Sequence, residues 1–147
     1  MMISTIEKVL FLKSVNLFDQ IPGEDLARIA EIAKEVSFEK EDYIIKQGES
    51  GDCLYLVIEG EVRVIPEDRE LVHLGKGECF GEMSLLDSEP RSASVQAITP
   101  VVLLKIIQED FYSMMTERPK IARGVLSVLT RRLRDANKTI SELTGKK

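Results

Sequence analysis

No apolar run in this 147-residue chain approaches the roughly 20 residues a bilayer crossing requires, so no membrane insertion is expected. The patch Val9-Leu10-Phe11-Leu12 is flanked by Lys8 and Lys13 and lacks a small-residue cleavage site, so no signal peptide is read there. Histidine occurs once, at His73, which excludes a His-rich metal centre and leaves serine and cysteine nucleophiles without a suitable base. No P-loop for nucleotide hydrolysis is present either, and the chain is read as no enzyme. Cys53 and Cys79 lack a CxxC spacing and sit among apolar or turn residues; they read as small buried side chains in a reducing cytoplasm. Positive charge is in deficit, with a formal net charge of −5, which argues against broad contact with a nucleic acid backbone. The length allows one domain with a real core, spanning residues 1–147.

Against these absences, the run FGEMSLLDSEPRSASV from Phe80 to Val95 concentrates a glycine turn, a carboxylate, a helix start and an arginine. Gly81 allows a close backbone turn. The amides of Glu82, Met83, Ser84 and Leu85 would then point from a first helical turn, an arrangement that attracts anions. Glu82, acceptor-only when ionised, suits a sugar hydroxyl, and Arg91 offers a planar fork that matches phosphate oxygens in pairs. A ribose phosphate would satisfy both.

The stretch closely resembles the phosphate-binding cassette of cyclic nucleotide-binding domains, F-G-E-[LM]-[SA]-L-[LIM]-x-x-x-P-R-[SA]-A, and matches it at every specified position. The run Ile44 to Gly60, IIKQGESGDCLYLVIEG, looks like the family's glycine-spaced strand signature upstream of the cassette. The resemblance covers roughly Leu17 to Leu133. It implies an α+β, mainly β fold: an antiparallel β-roll (a double-stranded β-helix or jelly roll) flanked by N-terminal helices and a C-terminal lid helix.

The pattern along the chain agrees with that architecture. Thr5 to Leu12 and the stretch opened by Pro22-Gly23-Glu24-Asp25 carry apolar residues at helical spacing, giving N-terminal helices within residues 1–35. From about Val36 short β-rich runs follow at Tyr43–Ile45, Leu54–Ile58, Glu61–Ile65, Glu70–Leu74, Ala93–Ile98 and Val101–Ile107, with a turn at Pro66-Glu67-Asp68-Arg69. The roll is thus placed at 36–107, with its cassette at 80–95, and the lid and dimerisation helices at 108–147. In the last segment Ala122, Leu126, Leu129, Leu133, Ala136, Ile140 and Leu143 recur at alternating spacings of four and three. Such a heptad seam either packs in its early part on the chain's own roll or joins a partner helix in a homodimer.

The resemblance assigns the cassette residues Phe80, Gly81, Glu82, Met83, Ser84, Arg91, Ser92 and Ala93 to ligand binding. Arg91 takes the phosphate and Glu82 the ribose 2′-hydroxyl. Glu82 alternatively complements a helix start, and Ser84 and Ser92 either donate to phosphate or cap local backbone. Arg132, with Leu133 as the apolar alternative, falls where relatives contact the base, and Asn137 where a dimeric relative reaches the neighbouring subunit's base. On residues alone, Arg131, Arg132, Arg134 and Lys138 equally describe a solvated basic face. The expected ligand is a cyclic purine nucleotide, cyclic AMP (cAMP) before cyclic GMP (cGMP), with no metal.

Only twelve residues follow Asp135, too few for a helix-turn-helix domain, so this chain is not expected to read DNA. Two alternatives stand beside the sensor reading: a roll that binds no nucleotide and serves protein contact, or the regulatory domain of a larger transporter-like or transcription-regulator protein.

Overall fold

A computed structural model describes residues 3–66 and 70–145. Helix α1 (Thr5–Leu12) opens with a capping box: Ser4 Oγ accepts from the Glu7 amide and Glu7 Oε1 accepts from the Ser4 amide, both at 3.1 Å. A 3₁₀ turn at Asn16–Phe18 leads to α2 (Gly23–Ile32), whose first turn carries Glu24 and Asp25 at the positive end of the helix dipole. Among the described residues eight strands follow: β1 (Lys34–Phe38), β2 (Tyr43–Ile45), β3 (Cys53–Glu59), β4 (Val62–Pro66), β5 (Val72–Leu74), β6 (Cys79–Phe80), β7 (Ala93–Ala97) and β8 (Val101–Ile107). The chain closes with α3 (Gln108–Glu117) and α4 (Pro119–Thr144).

The strands form two four-stranded antiparallel sheets, ordered β1-β8-β3-β6 and β2-β7-β4-β5, which face each other as a β-roll. Strand β3 is buried on both sides because its residues alternate. Cys53, Tyr55 and Val57 point between the sheets with Ile45, Val62, Phe80, Val95 and Leu103. Leu54, Leu56 and Ile58 point the other way, into a second core with Leu12, Phe18, Ile29, Phe111, Ile121 and Val125 from the helices. Each fully buried leucine or isoleucine contributes about 1.5–3 kcal/mol by leaving water. The helices are therefore fixed to one face of the roll rather than appended to it.

Several sequence-based bounds shift. The first strand begins at Lys34, ahead of the change of period read at Val36, and β1 and β6 were not anticipated as strands. The turn at Pro66-Glu67-Asp68-Arg69 lies, beyond Pro66, outside the described residues.

The heptad seam does not form the main contact with the roll. Helix α4 packs inward through Ile121, Gly124, Val125 and Val128, a neighbouring stripe, while Leu126, Leu133, Ile140 and Leu143 stand 57–81% exposed. Only Leu129 of the seam's leucines reaches the core. Gly124 explains the choice of face: a Cβ there would lie 2.8 Å from Ile21 Cγ1 and 2.9 Å from the Gln20 carbonyl, so the missing side chain lets the helix settle against the segment after the first 3₁₀ turn. At the α3–α4 junction Arg118 Nε donates to the buried carboxylate of Asp25 at 2.6 Å, tying α2 to the start of α4.

Candidate functional site

The cassette wraps one end of the roll. Gly81 has φ +76°, a left-handed conformation that turns the chain from β6 into a 3₁₀ helix at Glu82–Leu85. A Cβ on Gly81 would collide with Arg91 Nη1 and lie 2.8 Å from the Cys53 carbonyl. Glycine is thus required twice, by the turn and by the guanidinium packed on it.

Arg91 itself is 9% exposed. Its backbone is pinned by the turn before β3: the Arg91 amide donates to the Glu49 carbonyl at 2.7 Å and its carbonyl accepts from the Gly48 amide at 2.9 Å. The side chain reaches inward, Nη1 donating to Ser84 Oγ at 2.8 Å and Nη2 to the Cys53 carbonyl at 2.9 Å, with Cys53 Sγ at 3.2 Å. Every one of these acceptors is neutral. Among the described residues no carboxylate forms an ion pair with Arg91, although Glu49 and Asp52 border a smaller cavity that Arg91 also lines; the buried guanidinium is in direct contact with neutral groups alone.

Arg91 lines a cavity of about 510 Å³ with Phe80, Gly81, Glu82, Met83, Ser84, Ser92 and Ala93, closed on the roll side by Val64 and Val95. That volume lies within the usual range for small-molecule sites. Glu82 carries the negative counterpart. Its Oε1 accepts from Arg132 Nη2 of α4 at 2.5 Å, and Cys79 Sγ lies 3.8 Å from Oε2. Burial, and then the Glu82 carboxylate, push the Cys79 thiol up to about 12, so it stays a neutral group in this wall. Burial likewise raises the Cys53 thiol beneath Arg91. One cavity therefore offers a cation bonded to neutral groups and a carboxylate shared with α4, the polarity of a sugar phosphate.

The profile of the cyclic nucleotide-binding domain matches residues 35–118. This chain belongs to the cyclic nucleotide-binding domain family. It is 42% identical over 99 residues to the cyclic AMP receptor protein of Thermus thermophilus, covering 64% of this chain and 46% of the relative. With the CRP-like cAMP-activated global transcriptional regulator of Mycobacterium tuberculosis it shares 31% identity over 137 residues, 90% of this chain and 61% of the relative. The chain thus spans about half to three fifths of the length of these two relatives. Among solved structures, the N-terminal domain of a transcriptional regulator from Streptomyces coelicolor A3(2) superposes with a TM-score of 0.79 at 32% identity, over 88% of this chain and 94% of that one. The Thermus thermophilus catabolite activator protein gives 0.68 at 33% identity, over 88% and 63% respectively.

Within this cyclic nucleotide-binding domain the cassette residues singled out in the sequence converge on one cavity, from Phe80 through Ala93. Phe80 supports its floor by stacking on Tyr55, ring centroids 5.2 Å apart. Met83 lies at the rim, 47% exposed, with Arg132 Nη1 3.7 Å from its sulfur. Ser84 is committed to Arg91, and its amide is already bonded to the Gly81 carbonyl at 3.0 Å, so that N–H does not point outward as the sequence had implied. Ser92 is exposed at the mouth.

Arg132 reaches the site, but toward Glu82 and Asn16 rather than into an open base position. Leu133 and Asn137 do not line the cavity of their own protomer; both are exposed on α4. Arg131 pairs with Asp19 at 3.0 Å, so the basic face of α4 is partly tied down. Cys53 and Asn16 were missed from the sequence because they approach the cassette only through the fold, 38 residues before Arg91 and 116 before Arg132. Among the described residues no group of histidine, cysteine or carboxylate side chains could hold a metal ion, and no helix is long and apolar enough to cross a membrane.

Proposed function

We propose that the chain is a non-catalytic sensor module that binds a cyclic purine nucleotide, cAMP in preference to cGMP, and signals through α4. The observation that carries this reading is Arg91: 91% buried, hydrogen-bonded to neutral acceptors, and lining the cavity that also presents Glu82. A singly charged cyclic phosphate supplies the missing counter-charge, and the ribose 2′-hydroxyl donates to Glu82. The two relatives described above carry cyclic AMP in their names, which favours adenine over guanine.

Helix α4 supplies the output. With Leu126, Leu133 and Ile140 at a, Ala136 and Leu143 at d, and Ala122 and Leu129 at half-buried d positions beside the roll, the outward part of the seam fits a parallel two-helix contact between protomers. In that register Arg132 occupies g and Asn137 the e position five residues on, and g and e residues of facing helices are neighbours. Asn137 of one protomer then falls beside Arg132 of its partner, next to Glu82, and completes the base end that a single chain leaves open. A ligand drives this arrangement only by its preference for the closed state, and Arg132, Leu133 and Asn137 are where that preference arises. The two free cysteines, one of them buried, suit a reducing cytoplasm.

Calorimetric titration with cAMP and cGMP, alongside Arg91→Ala, tests the reading. Micromolar or tighter binding to the wild type, weakened at least about a hundredfold by the substitution, is expected for truncating one partner of a buried charge pair. Absence of heat and of thermal stabilisation with either nucleotide, in protein stripped of carried-over ligand, would leave a roll kept for protein contact.

A further inference from the structure

Gln108 opens α3 immediately after β8, outside the cavity and 17 residues beyond Arg91 in sequence. Its side-chain amide uses both hydrogens on the cassette: Nε2 donates to the Ser84 carbonyl at 3.0 Å and to the Asp87 carbonyl at 2.8 Å. Its backbone amide donates to the Asp52 carbonyl at 2.8 Å. One turn later Tyr112 donates its hydroxyl to the Leu86 carbonyl at 3.0 Å. The 3₁₀ helix Glu82–Leu85 is too short to bond all its own carbonyls: that of Met83 accepts from the Leu86 and Asp87 amides, while α3 holds that of Ser84 and those of Leu86 and Asp87 just after it.

Arg91 holds the same two places from the opposite side. Its Nη1 grips Ser84 by the hydroxyl where Gln108 grips it by the carbonyl. Its Nη2 takes the Cys53 carbonyl, next in the chain to the Asp52 carbonyl that Gln108 holds. Ser84 and the start of β3 are thus clamped between the arginine and the glutamine, with little room to give: a Cβ on Gly51 would collide with Ser84 Oγ and lie 3.0 Å from the Glu89 carbonyl.

We propose that Gln108 is a positioning residue for the anion site, fixing Ser84 and so the direction of Arg91. The proposal rests on reading that site as phosphate-binding. Gln108 touches no ligand. It keeps Ser84 Oγ where Arg91 Nη1 finds it; without its side chain α3 would hold the cassette only through Tyr112, and Ser84 could shift so that the guanidinium loses one of its two oxygen anchors.

The test uses the whole chain, as wild type, Gln108→Ala, Gln108→Glu, Ser84→Ala and the Gln108→Ala/Ser84→Ala pair. Gln108→Glu keeps the shape but removes both donated hydrogens, so it serves where the alanine variant folds poorly. Two readouts are taken: the Arg91 Nε–H nuclear magnetic resonance signal without nucleotide, and affinity for cAMP against adenosine, which lacks the phosphate. Loss of two ordinary hydrogen bonds predicts about tenfold weaker cAMP binding with adenosine affinity unchanged. The Arg91 signal should shift, and the double variant should bind no worse than the weaker single one, because both substitutions undo one clamp.

An unmoved Arg91 signal with unchanged cAMP affinity would overturn the proposal. So would equal losses for cAMP and adenosine, or additive losses in the double variant. Wild-type protein that binds no cAMP would instead fell the reading of the site, while the Arg91 signal, which needs no nucleotide, would still decide for or against Gln108.

Discussion

Arg132 Nη2 and Glu82 Oε1 meet at 2.5 Å across 50 residues of sequence, so the long C-terminal helix is tied to the cassette by the carboxylate assigned to the sugar. The same nitrogen donates to Asn16 Oδ1 at 2.7 Å, which brings the first 3₁₀ turn into the junction. Arg132→Ala should free this part of α4. The pair is partly exposed, 35% at Arg132 and 18% at Glu82, so solvent screening limits its worth to about 1 kcal/mol or less. Amide exchange over residues 129–144 should therefore quicken several-fold, and added salt should reproduce part of the effect in the wild type. Unchanged exchange would mean that the packing of Val125 and Val128 alone holds the helix.

Gly81 and Gly77 separate backbone strain from site geometry. Both have positive φ, +76° and +87°, but a Cβ on Gly77 meets open space whereas one on Gly81 meets Arg91. Gly77→Ala should cost about 1–2 kcal/mol of stability from the left-handed backbone, with nucleotide affinity intact. Gly81→Ala should cost at least as much and also abolish binding, because Arg91 must move. Urea unfolding and calorimetry on the two variants check this, and equal binding by both would remove Arg91 from its assigned place.

What the sequence made legible is what it keeps local. The cassette is contiguous, so its turn, carboxylate and arginine could be read as a unit, and strands β2 and β8 begin and end where apolar β-branched runs do. Strand β1, KEVSF, is masked by its charged and polar residues Lys34, Glu35 and Ser37, and β6 by being two residues long. On α4 the leucine stripe drew attention from the stripe that packs, since Gly124 contributes through the close approach it permits and adds no hydrophobicity of its own. Gln108 and Asn16 carried no motif at all. Their parts depend on carbonyls and guanidinium groups delivered by distant elements.

The exposed seam makes a prediction about assembly. Leu126 and Leu133 are 61% and 63% exposed on adjacent heptads, an apolar stripe that a second copy would cover. Leu126→Glu/Leu133→Glu should give a monomer by sedimentation equilibrium where the wild type is a dimer. Its own fold should be unaffected, because the stripe that packs on the roll is Ile121, Val125 and Val128. If Asn137 serves the partner's site, the monomer should also bind cAMP more weakly. A wild type that stays monomeric at all concentrations would set the coiled-coil output aside.

Alkaline pH offers a test of the buried wall around Arg91. Burial raises Cys79 from its ordinary value of 9.0 to about 12, and it raises Cys53 and the Tyr55 hydroxyl as well. Below about pH 8 all three groups are neutral in folded and unfolded chains, so their contribution to stability is complete and flat. As pH rises past 9 the unfolded chain releases the thiol protons while the folded one retains them. The unfolded state then binds fewer protons, and the free energy of unfolding must fall with pH until the folded groups also ionise. Urea unfolding between pH 7 and 11 should show this decline, and Cys79→Ala should reduce its slope by removing one of the contributing groups. A profile that stays flat to pH 11 would mean these side chains reach water more freely than their packing allows, and the cavity wall would have to be redrawn.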